Sequence, residues 1–200
     1  MRHQVTGAAG RPRPRSPRRR RATWPISINA VFVVVGVLIV VFLGAPPVLR
    51  WLSRPESTAS AATRAGVGCS SMEEVAYHVH AHLALFIEGQ PRPVPANLGI
   101  SRSCIAWLHT HDTSGILHIE APGPHTYPLG AFFELWGQPL SPTQLLDRST
   151  DADHRVVAYV NGEEFQGDPR QVPLDPHAVI VLEYGPPFVP PESFTFPSGL

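Results

Sequence analysis

Tyr77-His78-Val79-His80-Ala81-His82-Leu83-Ala84-Leu85-Phe86-Ile87 alternates two kinds of residue from Tyr77 to Leu83. The odd positions are all apolar, and the even positions open with three histidines. Side chains on a β-strand point to opposite faces in turn, so Val75 to Ile87 is predicted as a strand with a core face and a histidine face. A helix would scatter the same histidines around its cylinder, and the strict alternation rejects it.

Reading outward, Glu88-Gly89-Gln90-Pro91 supplies a turn, and Val94 to Ile100 an irregular return limited by its prolines. Cys104 to His111 is predicted as the next strand, Asp112-Thr113-Ser114-Gly115 as a turn, and Ile116 to Ala121 as the strand back. If His111 and Ile116 flank that turn, paired residues have numbers that add to the same total. His109 then lies opposite His118 and Trp107 opposite Glu120, all on the face of His111.

Leu129 to Trp136 is predicted as a short helix stopped by Gly137. Ser141-Pro142-Thr143-Gln144 matches a capping box and predicts a second short helix through Asp147. Arg155 to Tyr159 and Glu163 to Gln166 flank the hairpin signal Asn161-Gly162, and Ala178 to Tyr184 reads as a buried strand. The fold class expected is mainly β, a sandwich or small barrel-like domain with two short helices, preceded by one transmembrane helix. The domain is placed at 69–185, followed by an extended or disordered Pro-rich tail at 186–200.

The N-terminal third has another character. Residues 1–25 hold eight arginines and no acid, and are predicted to be a basic, disordered cytoplasmic tail. The apolar run 26–45 has the roughly 20 residues that cross a bilayer. Arg18 to Arg21 directly before it put the N-terminus inside and the rest outside, as a single-pass cell-membrane protein. A cleaved signal is the alternative, with Ala59-Ser60-Ala61 as its site, but that site lies too far behind the run, so an uncleaved signal anchor is preferred. Residues 46–68 then form a linker, rich in Ser, Thr, Ala and Arg after Ser53.

Beyond residue 68 stand 15 acids and 5 arginines, a net charge of −10 with histidines neutral. Such a field attracts cations and excludes nucleic acid as a partner. The expected partners are the membrane and an extracytoplasmic protein. The two cysteines, Cys69 and Cys104, favour a disulfide in an oxidising compartment. Thiolate ligation is the alternative, and strand parity turns Cys104 away from the histidines.

Imidazole is the commonest side-chain metal ligand, and six of the ten histidines fall in two windows. The candidate ligands are His80, His82, His109, His111 and His118, with His78 and Glu120 next. An all-imidazole set with one carboxylate suits copper(II) or zinc, and disfavours calcium and magnesium. Copper(I) is less supported, since Met72 is the only methionine after the initiator. The blander alternative is a strand face of partly exposed histidines that acts as a pH-dependent charge. His125, His154 and His177 lie in turn-rich sequence and are read as structural, Trp107 and Trp136 as core or site walls, and Asp112 as a turn former.

The segments Tyr77 to Leu83, Val94 to Ile100, Leu108 to Glu120 and Leu129 to Gly137 together resemble an uncharacterised family of bacterial and archaeal extracytoplasmic domains, often membrane-anchored. His109-Thr110-His111-Asp112, the following Ser114-Gly115 and His118-Ile119-Glu120 are the most specific part. The resemblance implies a real domain and assigns it no activity. A cupin is excluded by spacing, because a cupin places its Glu soon after His-X-His, whereas here nine positions separate His111 from Glu120.

The leading expectation is therefore a membrane-anchored domain that binds, buffers or transfers copper(II) or zinc. A metal-dependent enzyme with three histidine ligands and Glu120 as base is the second, although no substrate signature accompanies it. A histidine-based, pH-sensing interaction module is the third.

Overall fold

A computed structural model describes residues 56–191 and 193–200. The predicted tail 1–25 and span 26–45 lie outside the described residues, and no helix among the described residues is long and apolar enough to cross a membrane. The domain is mainly β with two α-helices.

In chain order, α1 (Thr58–Arg64) is followed by six strands: β1 (Cys69–Ser70), β2 (Tyr77–Ile87), β3 (Gln90–Arg92), β4 (Ile100–Ser101), β5 (Cys104–Ala106) and β6 (Leu108–His109). Then come β7 (Ile116–Ala121), α2 (Leu129–Trp136), β8 (Leu140–Ser141), β9 (Gln144–Leu145) and β10 (Arg148–Ser149). The chain closes with β11 (Arg155–Val160), β12 (Glu163–Glu164), a single 3₁₀ turn at Pro169–Gln171, and β13 (Val179–Gly185).

The main sheet has the order β12-β11-β13-β2-β7-β6, with β3 also paired to β2. The strands follow one another along this path, β12 at one end and β6 at the other. Two small sheets, β1-β5-β4 and β10-β9-β8, accompany it. The eleven residues of β2 carry the sheet. One edge pairs in parallel with β13 over His82 to Ile87. The other serves β7 over Tyr77 to His82 and then β3 over Leu85 to Ile87.

The odd positions of β2 do enter the core. Ala81, Leu83, Leu85 and Ile87 are buried with Leu117 and Ile119 of β7, and α2 adds Leu129, Phe132 and Phe133 to the same cluster. At about 2 kcal/mol for each buried large apolar side chain, this one face dominates the stability of the sheet. Gly137 ends α2 in the left-handed conformation, φ 72°, as its position predicts. Asn161 and Gly162 both take positive φ, 53° and 85°, and turn β11 into β12.

Three expectations need correction. First, the domain begins before Cys69. Ala61 and Ala62 of α1, together with Ala65 and Val67, are core residues. Four small apolar side chains inside a Ser/Thr-rich stretch make too weak a period to announce a helix.

Second, the capping box at Ser141 opens no helix. Its hydroxyl accepts from the Thr143 amide at 3.2 Å, two residues on, and the chain folds into the tight β8-β9-β10 meander. Leu146 takes φ 53°, which no helix interior tolerates, and Leu140 and Leu145 pair across the ladder to reach the core. Burial of two leucines outweighs a local capping signal.

Third, Cys104 to His111 is not one strand. It breaks at Trp107 into β5, in a small sheet, and β6, in the main one. The Trp107 indole donates to Ser70 Oγ at 2.9 Å, and its ring covers Gly68 so closely that a Cβ there would meet it at 2.3 Å. Cys69 and Cys104 are joined in a disulfide that ties β1 to β5 at the far side of this break.

The C-terminal tail has no regular elements, yet it packs. Glu183 is fully buried and accepts from the Val189 amide at 2.8 Å, and Phe194 stacks on His82.

Candidate metal centre

The even face of β2 meets β7 in antiparallel register, with His80 opposite His118 and His78 opposite Glu120. On the other edge of β7, His109 of β6 stands opposite His118, the pairing that the turn length predicts. His109, His118 and His80 thus form one row across three adjacent strands. His78 and Glu120 begin the next row, where the Glu120 amide donates to the Trp107 carbonyl at 2.8 Å.

His111 lies beyond the end of β6, and its Nε2 still approaches His109 Nε2 to 3.3 Å. The turn that returns the chain is built as its residues predict. Asp112 Oδ1 accepts from the Ser114 amide at 2.8 Å, and Gly115 takes φ 86°.

Potential ligand atoms of His109, His111, His118 and Glu120 all lie within 4.8 Å of one another, as do those of His78, His80 and His118. Glu120 Oε1 is central. It lies 3.0 Å from His78 Nε2, 3.5 Å from His118 Nδ1 and 3.8 Å from His109 Nε2.

His109 is fully buried, and its Nδ1–H donates to the Ala106 carbonyl at 2.8 Å. That bond leaves the Nε2 lone pair facing the cluster, the tautomer a metal ligand needs. His80 and His118 are also buried, while His78 and His111 each keep 40 % of the side chain exposed and open the cluster to solvent.

Burial, reinforced by the neighbouring imidazoles, lowers His80 to about 4 and His118 to about 3. Burial also lowers His109, outweighing its bond to Ala106. Burial, with the Glu73 carboxylate nearby, raises Glu120 to about 6 against the opposing effect of His111. His80, His109 and His118 therefore present unprotonated nitrogen donors beside one carboxyl, an arrangement suited to a borderline first-row cation.

Of the sequence candidates, the structure brings together His78, His80, His109, His111, His118 and Glu120. It does not bring in His82, whose Nε2 contacts the Ser114 carbonyl at 3.1 Å and whose ring stacks on Phe194 with centroids 3.6 Å apart. His82 is the last residue of β2 paired with β7, where it faces Ile116 rather than another ligand, and the tail covers the ring. Glu73, with Oε1 3.7 Å from His111 Nε2, was missed because it lies in a loop without periodicity. His154 and His177 are held by Asp151 and by the Leu200 carbonyl, and His125 lies against Tyr127 and Trp107, all structural settings.

Comparisons with protein-family models, with curated proteins and with solved structures gave no match.

Proposed function

We propose that this chain is a single-pass membrane protein whose extracytoplasmic domain binds copper(II) or zinc, to buffer the ion or pass it to a protein partner. The observation that carries this reading is the buried His109, fixed by Ala106 with its free Nε2 directed at His111 and Glu120. A histidine face serving only as a surface charge has no use for a buried ring held in one tautomer. The half-exposed His78 and His111 give an ion or a partner's ligand a way in. The acidic balance of the domain favours cation capture. The apolar run 26–45 and the arginines before it supply the anchor and its orientation.

The test is elemental analysis and zinc and copper(II) titration of the purified full-length chain and of His109→Ala/His111→Ala. Stoichiometric metal that the double variant loses supports the proposal. Sub-stoichiometric binding indifferent to the substitutions overturns it.

A further inference from the structure

The donor atoms of the cluster do not converge on one point. They fall into two sets, His109, His111, His118 and Glu120 on one side and His78, His80 and His118 on the other, with His118 common to both. Five imidazoles and a carboxylate also exceed the four donors of an ordinary tetrahedral zinc.

The second set has an unresolved proton arrangement of its own. His78 Nε2 lies 2.9 Å from His80 Nε2 and 3.0 Å from Glu120 Oε1. A neutral ring nitrogen carries at most one proton, so it can satisfy only one of those two lone pairs. A cation accepts all three.

The residues between the two sets each offer two donor atoms, and each has one that is buried without a hydrogen bond: Glu120 Oε2, and His118 Nδ1, which only approaches Glu120 Oε1 at 3.5 Å. Buried polar atoms are ordinarily paired, so two orphans at the junction mark a position built for something more.

Resting on the metal-binding reading above, we propose that the cluster is a two-metal centre. His109, His111 and His118 hold one first-row ion, His78 and His80 hold the other, and Glu120 bridges them. Two ions sharing a carboxylate lie about 4 Å apart. The exposed edges of His78 and His111 leave each ion an open position for water or a small anion.

The test uses the full-length chain carrying His3→Ala, which removes the one histidine outside the described residues. Zinc titration with elemental analysis is expected to give two equivalents. Copper(II) loading is expected to lose electron paramagnetic resonance intensity as the second equivalent enters and couples to the first. His78→Gln alters a half-exposed ring, which the fold does not depend on, and is expected to lose the second equivalent while retaining the first. One equivalent in the parent chain, or two that stay magnetically independent, overturns the second position and leaves the metal-binding reading standing. A His78→Gln chain that keeps two equivalents, or loses both with its circular dichroism unchanged, also overturns it. No bound metal at all overturns both readings.

Discussion

His80 and His118 face one another from adjacent strands, edge to face with ring centroids 4.6 Å apart, and burial keeps both unprotonated near neutral pH. Burial is the first cause for each ring, and a charge on His80 would further oppose one on His118. Several measurable consequences come from this pair and its neighbours.

The metal-free chain loses stability on acidification. Unfolded histidine takes a proton near 6.5, whereas folded His80 and His118 hold out to about 4 and about 3. Between those values the unfolded chain binds more protons, so stability falls as pH falls below 6.5. Glu120 acts oppositely: its folded value of about 6 lies above the unfolded 4.5, so protonation in that window favours the fold. Two groups outweigh one, and unfolding free energies from denaturant titrations at pH 7 and pH 5 should differ by on the order of 2 kcal/mol in favour of pH 7. Equal free energies would contradict the buried, neutral state of the pair.

Glu120→Gln retains the volume of the side chain and removes its charge. Zinc affinity is expected to fall on the order of 10- to 100-fold, with the metal-free fold intact. Competition against a chromophoric chelator measures it, and an unchanged dissociation constant would remove Glu120 from the site.

His82→Ala is the contrasting substitution. This ring stacks on Phe194 rather than joining the cluster, so metal stoichiometry is expected to be retained. The expected loss is in stability, through the packing of the tail, and a thermal melt read beside a zinc titration separates the two.

Gly115→Ala tests the turn that presents His111 and His118. A Cβ here would lie 2.4 Å from the Leu83 carbonyl oxygen, at φ 86°. Backbone strain and the clash together are expected to cost on the order of 3 kcal/mol by chemical denaturation. A neutral substitution would mean that the hairpin approaches β2 less closely than described.

Cys69→Ser/Cys104→Ser opens a loop of 35 residues in sequence. The unfolded chain regains its freedom, and the stability lost is expected to be about 4 kcal/mol. The same denaturation experiment with and without reductant on the parent chain provides a check.

How far the sequence is legible differs from one place to the next. The His109–His118 pairing could be counted from the length of one turn, because antiparallel register obeys arithmetic. The alternation of β2 was equally plain, since one face must be apolar. Registry between β2 and β7 was not readable, because Pro93, Pro95 and an irregular return separate them, and local rules do not reach across such a loop. His82 was misplaced for a related reason: a shared face does not ensure shared neighbours once a strand changes partners. The helix at Thr58 and the meander at Leu140 were lost to tertiary packing, which overrides weak local preferences.

The parallel pairing of β13 with β2 carries a consequence for biosynthesis. Val179 to Tyr184 fills the position beside the strand that bears His78 and His80, yet this segment is made about a hundred residues later. Until it emerges, β2 has an open edge over its second half, and the even face is only half framed. A nascent chain can close the β6-β7 hairpin early, but the finished sheet waits for the last strand. On the metal-binding reading proposed above, loading would wait for the completed polypeptide, and a chain released short of residue 179 would present an unpaired edge to its neighbours.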